Sequence, residues 1–233
     1  MGRIDADPSA PDARDAVVDG ASTGPAHQVS QAAGSTNASE VSVTIGGGSA
    51  TTWTAAVVHR EFSPVTSVNG LGLAWTRVES QCGAENKSGV DVWTATGTAG
   101  AGSVTAELGQ TSSQAAIAVS RFSGVQSIGT VVTANTRPDG TCPGGDQESD
   151  GYTFPIDPLA TLGLIYVAVG NRNESHTPGP GFSEHAEIHA GTGIASAGVA
   201  VASGEIDGQD VVAVSGGFGG NDEWGAVAVE LRP

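Results

Sequence analysis

Along most of the chain, apolar and polar residues alternate with a period of two in short runs separated by Gly, Pro, Asn and Ser. Three runs depart from that alternation because they are apolar on both faces. In residues 114–125, Ala115, Ile117 and Val119 point one way and Ala116, Ala118 and Phe122 the other. In 161–170, Leu162, Leu164 and Tyr166 oppose Ile165, Val167 and Val169; in 223–231, Val227, Val229 and Leu231 oppose Trp224, Ala226 and Ala228. A strand that is apolar on both sides needs a covering layer on each, so these three are predicted to be central. The apolar residues at 115–119 carry no cap and are too few for a helix.

The remaining runs read as ordinary or edge strands. Residues 26–33 and 40–45 are predicted to form a first pair, followed by a turn at Gly46-Gly47-Gly48 and a strand over 53–60. Asn69-Gly70 is a tight-turn pair joining 65–68 to 71–78, where Leu71, Leu73 and Trp75 share a face. Further strands are expected at 90–96, 103–108, 128–134, 152–156, 182–188, 194–203 and 210–215. Of these, 103–108 is short and edge-like, and Pro155 confines 152–156 to an edge because it cannot donate to a ladder. Three long polar loops surround Cys82, Cys142 and His176. About a dozen strands and no helix predict an all-β, two-sheet antiparallel sandwich of jelly-roll type.

Composition agrees with that reading and adds the arm. The 233 residues include 35 glycines, and the apolar positions are filled mostly by Ala and Val. Residues 1–20, rich in Asp, Ala and Pro without a period, are expected to form a flexible acidic arm, leaving 21–233 as a single domain. With 25 acidic against 9 basic residues the net charge is −16, a field that repels nucleic acid and anionic membranes. The eight arginines are scattered and there is one lysine, so no basic patch exists for a nucleic-acid partner. No apolar run is long enough to predict membrane insertion. The first residues, MGRIDADPSAPDARD, lack the basic and apolar regions of a secretory signal, so an exported protein would appear here without its leader.

The two cysteines sit in loop-like settings, and one disulfide between Cys82 and Cys142 is the simplest pairing. It implies an oxidising compartment and is worth about 4 kcal/mol in the chain-entropy model.

Two clusters suggest metals. Asp146, Glu148, Asp150, Gly151 and Asp157 stand at positions 1, 3, 5, 6 and 12 of a calcium-loop pattern, which makes calcium the one cofactor the sequence suggests. Glu at position 3, Asp at position 12 and the prolines at 155 and 158 depart from the pattern, and a solvated acidic loop is the competing reading. His176, Glu184, His185, Glu187 and His189 crowd into fourteen residues. On a strand, His185, Glu187 and His189 share one face at a spacing that can ligate zinc or copper; a polar edge face is the alternative.

Among the tryptophans, Trp75 shares its face with Leu71 and Leu73 and is expected to be buried. Trp93 shares its face with Asp91 and Ala95, and is the ring expected to be exposed for stacking on a sugar. No Gly-x-Ser-x-Gly elbow or phosphate-cradling loop is present, so no enzyme is expected and no catalytic residue is named. Arg121, beside the first doubly apolar run, is not explained by packing and is expected to have an acidic partner.

The segments GLGLAWTRV (70–78), GVDVWTATGTAGAGSVTAEL (89–108), AAIAVSRFSGV (115–125), SHTPGPGFSEHAEI (175–188) and WGAVAVELRP (224–233) together resemble a family of β-sandwich modules found in large bacterial secreted, surface and phage-associated proteins. The likeness covers roughly residues 20–233 and rests on structural motifs. It implies a sandwich without assigned catalytic activity. Because edge strands accept a partner strand and the arm can supply one, the expected function is a structural or adhesive module of an extracellular or particle surface, forming a homo-oligomer or larger assembly through its N-terminal arm and sheet edges. A carbohydrate-binding module with a glycan partner is the first alternative, and a metal-binding or hydrolytic domain the second.

Overall fold

The computed structural model describes residues 24–61, 64–137, 139–142, 147–208 and 210–233, so the arm expected over 1–20 lies outside the described residues. The strands are β1 (Ala26–Ile45), β2 (Gly48–His59), β3 (Ser67–Gly70), β4 (Thr76–Cys82), β5 (Gly89–Ala99), β6 (Gly102–Ser123) and β7 (Ser127–Asn135) in the first part of the chain. The second part supplies β8 (Ser149–Ile156), β9 (Leu162–Asn171), β10 (His176–Pro178), β11 (Phe182–Ala190), β12 (Ala197–Asp207), β13 (Val212–Asp222) and β14 (Gly225–Arg232). All pairings are antiparallel.

The expected all-β antiparallel sandwich is formed, with a third sheet added. Sheet A runs β1-β6-β2-β5-β4, with β3 also on β6; sheet B runs β11-β12-β9-β14-β7; sheet C is β10-β13-β8. The doubly apolar strands explain the stacking. Ala116, Ala118 and Phe122 of β6 meet Leu164, Tyr166 and Ala168 of β9 and Val227, Val229 and Leu231 of β14 in the core between sheets A and B. The opposite faces of β9 and β14 form a second core with Tyr152, Phe154, Ile156 and Val214 of sheet C. Two sheets would have left Ile165, Val167 and Val169 in water, and the third sheet removes that apolar surface.

The outer face of sheet A is covered by its own strands. Val41, Val43 and Ile45 of β1, Val104, Ala106 and Leu108 of β6, and Val68 of β3 share one core with Trp53, Val57, Trp93, Ile117 and Val119. The β1–β6 ribbon therefore bends back over the sheet. At the bend the register breaks: Ala38 faces Ser112, whereas Glu40 faces Glu107. The corner residues Thr36, Asn37, Gly109 and Gln110 are exposed. This is why the sequence reads as two strands at 26–33 and 40–45, and again at 103–108 and 114–125, where single long strands form. The corner lies outside every core and carries no apolar period.

The turn expected at Asn69-Gly70 is displaced. Those residues end β3, and Leu71 and Gly72 make the turn with φ of 59° and 68°. Leu71, Leu73 and Trp75 pack against the outer core from an irregular segment, partly buried, and β4 begins only at Thr76. Arg121 has no acidic partner among the described residues. Its guanidinium donates to the Gly47 carbonyl and lies 5.7 Å from the Trp53 ring, so a glycine turn takes the place of the expected carboxylate.

Candidate functional site

Cys82 at the end of β4 is joined to Cys142 by a disulfide, with Cα atoms 5.7 Å apart. Asn135 at the end of β7 donates to the Cys82 carbonyl (3.0 Å) and the Thr141 carbonyl (3.3 Å), so the loop after β7 is tied to the end of β4 twice over. Beside this tie, the edges of β7 and β8 enclose a groove of about 520 Å³ lined by residues that include Asn135, Arg137, Ser149, Tyr152 and Trp224.

The densest chemistry lies between β10, β11 and β8. His176 is buried, with Nδ1 2.7 Å from Glu184 Oε2 and Nε2 2.8 Å from the Tyr152 hydroxyl; its backbone N–H donates to Glu187 Oε1 at 2.7 Å. Burial, and then the Glu184 charge, push the Tyr152 phenol well above its ordinary range. With neutral His176, the consistent arrangement has Tyr152 donating to Nε2 and Nδ1–H donating to Glu184. A Cβ on Gly216 would come within 2.6 Å of the Tyr152 hydroxyl and 2.8 Å of His176 Nε2, so β13 lies directly over the pair. The Glu184–His176–Tyr152 chain is thus covered by β13 at its His176–Tyr152 end and open at Glu184, and it ties β11 to β10 and β8.

The zinc or copper face expected from His185, Glu187 and His189 does not form. A bulge between Glu184 and Ala186 reverses the phase of β11. Glu187 and His189 turn toward the loop before β10, where His189 Nε2 lies 3.2 Å from the Glu174 carbonyl. His185 turns the other way, 2.7 Å from Ser203 Oγ and stacked on His27.

The calcium loop is likewise replaced by a strand. Asp146 lies outside the described residues, Glu148 pairs with Arg172, and residues 149–156 are β8. An extended strand holds Asp150 and Asp157 on the order of 20 Å apart, too far to share one ion. Among the described residues no group of three or more His, Cys, Asp or Glu is placed to hold a metal.

Trp93 is a correction too. It is 9% exposed, packed in the outer core under the folded-over ribbon, with the Arg77 guanidinium 6.0 Å from its ring. Trp53 and Trp224 are also buried, and Trp75, expected inside, is the ring that is only partly covered.

Sequence reasoning missed the buried acids. Asp222 accepts from the backbone N–H groups of Arg172, Asn173, Glu174 and Glu223 and from Arg172 Nε. Glu223, beside it, lies 3.3 Å from Lys87 Nζ; burial pushes its carboxyl up against the opposing pull of Arg172 and Lys87. Glu230 accepts from the amides of Thr130, Leu159 and Ala160, which, with Arg232, outweigh burial and hold it below its usual range. The available signal was a carboxylate embedded in an otherwise apolar run, as in Val-Ala-Val-Glu-Leu, which requires local hydrogen-bond partners.

Compared with known proteins, the chain matches no family model, no curated protein and no solved structure.

Proposed function

We propose that the protein is a non-catalytic structural module of an extracellular or particle surface that assembles with copies of itself by strand addition at the edge of β1. The observation carrying this reading is β1 itself. It is 20 residues long, ends sheet A, and among the described residues pairs only with β6. It contains no proline, and Glu40 is its only Asp, Glu, Lys or Arg. Soluble proteins usually blunt long edges with proline, lysine or closely spaced bulges. Here the bulge at 27–29 and the corner at Asn37 leave the run from Val29 to Thr36 uninterrupted. An added extended segment gains main-chain hydrogen bonds along such a run. The disulfide agrees with an oxidising compartment, and the resemblance to secreted, surface and phage-associated modules points the same way. The glycan reading loses its candidate ring with the burial of Trp93.

Sedimentation velocity of the full chain over a wide concentration range tests the proposal. Concentration-dependent association is expected, as is a folded monomer for the double variant Gln31→Lys, Thr36→Lys, both of which are exposed on β1. Deletion of residues 1–20 is expected to leave a folded monomer if the arm supplies the added strand. A wild-type monomer at high concentration overturns the reading.

A further inference from the structure

Where β1 of sheet A meets β11 of sheet B, two histidines from different sheets lie ring on ring. The centroids of His27 and His185 are 3.5 Å apart and their planes differ by 6°. Each Nε2 rests on a serine hydroxyl: His27 on Ser30 at 2.9 Å, His185 on Ser203 at 2.7 Å. His27 also meets the Phe122 ring edge-on at 5.5 Å, which puts the pair at the margin of the middle core. Farther along the seam the strands pack closely, since a Cβ on Gly34 would approach the Ala190 Cβ to 2.8 Å. The β11 bulge that dismantles the metal face is what brings His185 into this position.

The charges around the pair do not neutralise it. On β1 the next titratable group is Glu40, beyond the corner of the ribbon. On β11, Glu184 is committed to His176 on the opposite face. On β6, Arg121 lies against Trp53 and the Gly47 carbonyl, on the far side of sheet A. On β9 the Tyr166 phenol is inside the core. On β12, Glu205 lines the groove of about 490 Å³ beside the rings, but is exposed. Among the described residues no carboxylate is ion-paired with either imidazole.

We propose that the His27–His185 stack is an acid-operated latch: two neutral rings hold β1 on β11, and protonation sets two positive charges at stacking distance and loosens that seam. Burial holds the His27 pKa below 6.5, and burial followed by the charge of His27 brings His185 down to about 4. Both values are lowered by folding. The latch is therefore fully closed above pH 6.5, the unfolded value, and is lost as the pH falls from there toward 4.

Hydrogen exchange of the full chain, dilute enough to sediment as one species, tests this independently of assembly. Between pH 7.5 and 5, after correction for intrinsic exchange, protection of 26–34 and 182–190 is expected to fall on the order of tenfold while β9 is unchanged. His27→Gln and His185→Gln each keep an amide for the serine and remove the charge pair, and the loss at pH 5 is expected to be clearly smaller in either, the remainder coming from burial of the ring that is left. Wild-type protection that survives at pH 5, or an equal loss in a folded single variant, overturns the latch. Should His185→Gln fail to fold, His27→Gln on the edge strand carries the same comparison.

Discussion

Asp91, in the core outside sheet A, and Asp222, at the end of β13 beside sheet B, are both fully buried next to an arginine, yet their surroundings differ. Asp91 accepts from Arg77, whose side chain is one-third exposed, and from one amide, Val65 N–H at 3.2 Å. Burial wins there and raises its pKa against the pull of Arg77. Asp222 receives four backbone N–H groups, three of them successive, as well as the buried guanidinium of Arg172. The lesson is that one cation at the rim tolerates a buried carboxylate, whereas a ring of amides makes the carboxylate the organiser of a loop.

The largest loss is expected for Asp222→Ala. It strips an acceptor from four amides and leaves Arg172 buried without its main partner. A loss of about 5 kcal/mol is expected from the urea midpoint, toward the upper end for breaking a buried pair. The next largest effect should come from the covalent tie near the same end of the molecule. Replacing Cys82 and Cys142 by serine is expected to cost about 4 kcal/mol, and reductant should then have no further effect on the variant. Asp91→Asn should cost least, about 1 kcal/mol at pH 7, because the carboxylate is already poorly accommodated.

Asp91 also carries a pH signature. Its folded pKa is raised, so its contribution is fully present below 3.8 and is lost as the pH rises through the folded value. The wild type minus Asp91→Asn stability difference should therefore shrink from pH 4 to pH 7. A difference that stays constant or grows with pH would mean that Arg77 and the Val65 amide offset the burial of Asp91, and would erase the contrast.

The buried frame was readable because β6, β9 and β14 are apolar at both phases of the two-residue period, and only a strand between two layers uses such a pattern. Trp93 and His185 show where reading stopped. Trp93 shares its face with Asp91, which argued for water, but the covering layer is the same ribbon bent back from the far end of β1 and β6. His185 sits in period with Glu187 and His189, yet one extra residue in the ladder turns it to the other side of the sheet. The Asp-Glu-Asp spacing before residue 157 matched an ion-binding loop, and pairing with β13 pulled it straight.

From sequence alone came the strand content, the antiparallel sandwich, the three central strands and the Cys82–Cys142 pairing, all properties carried by residues near one another in the chain or by the only partners available. The number of sheets, the bend of the β1–β6 ribbon, the amides around Asp222 and the His27–His185 stack were decided by tertiary structure. Each depends on which distant surfaces meet, and a ladder register that slips by one residue changes the answer without changing the local pattern.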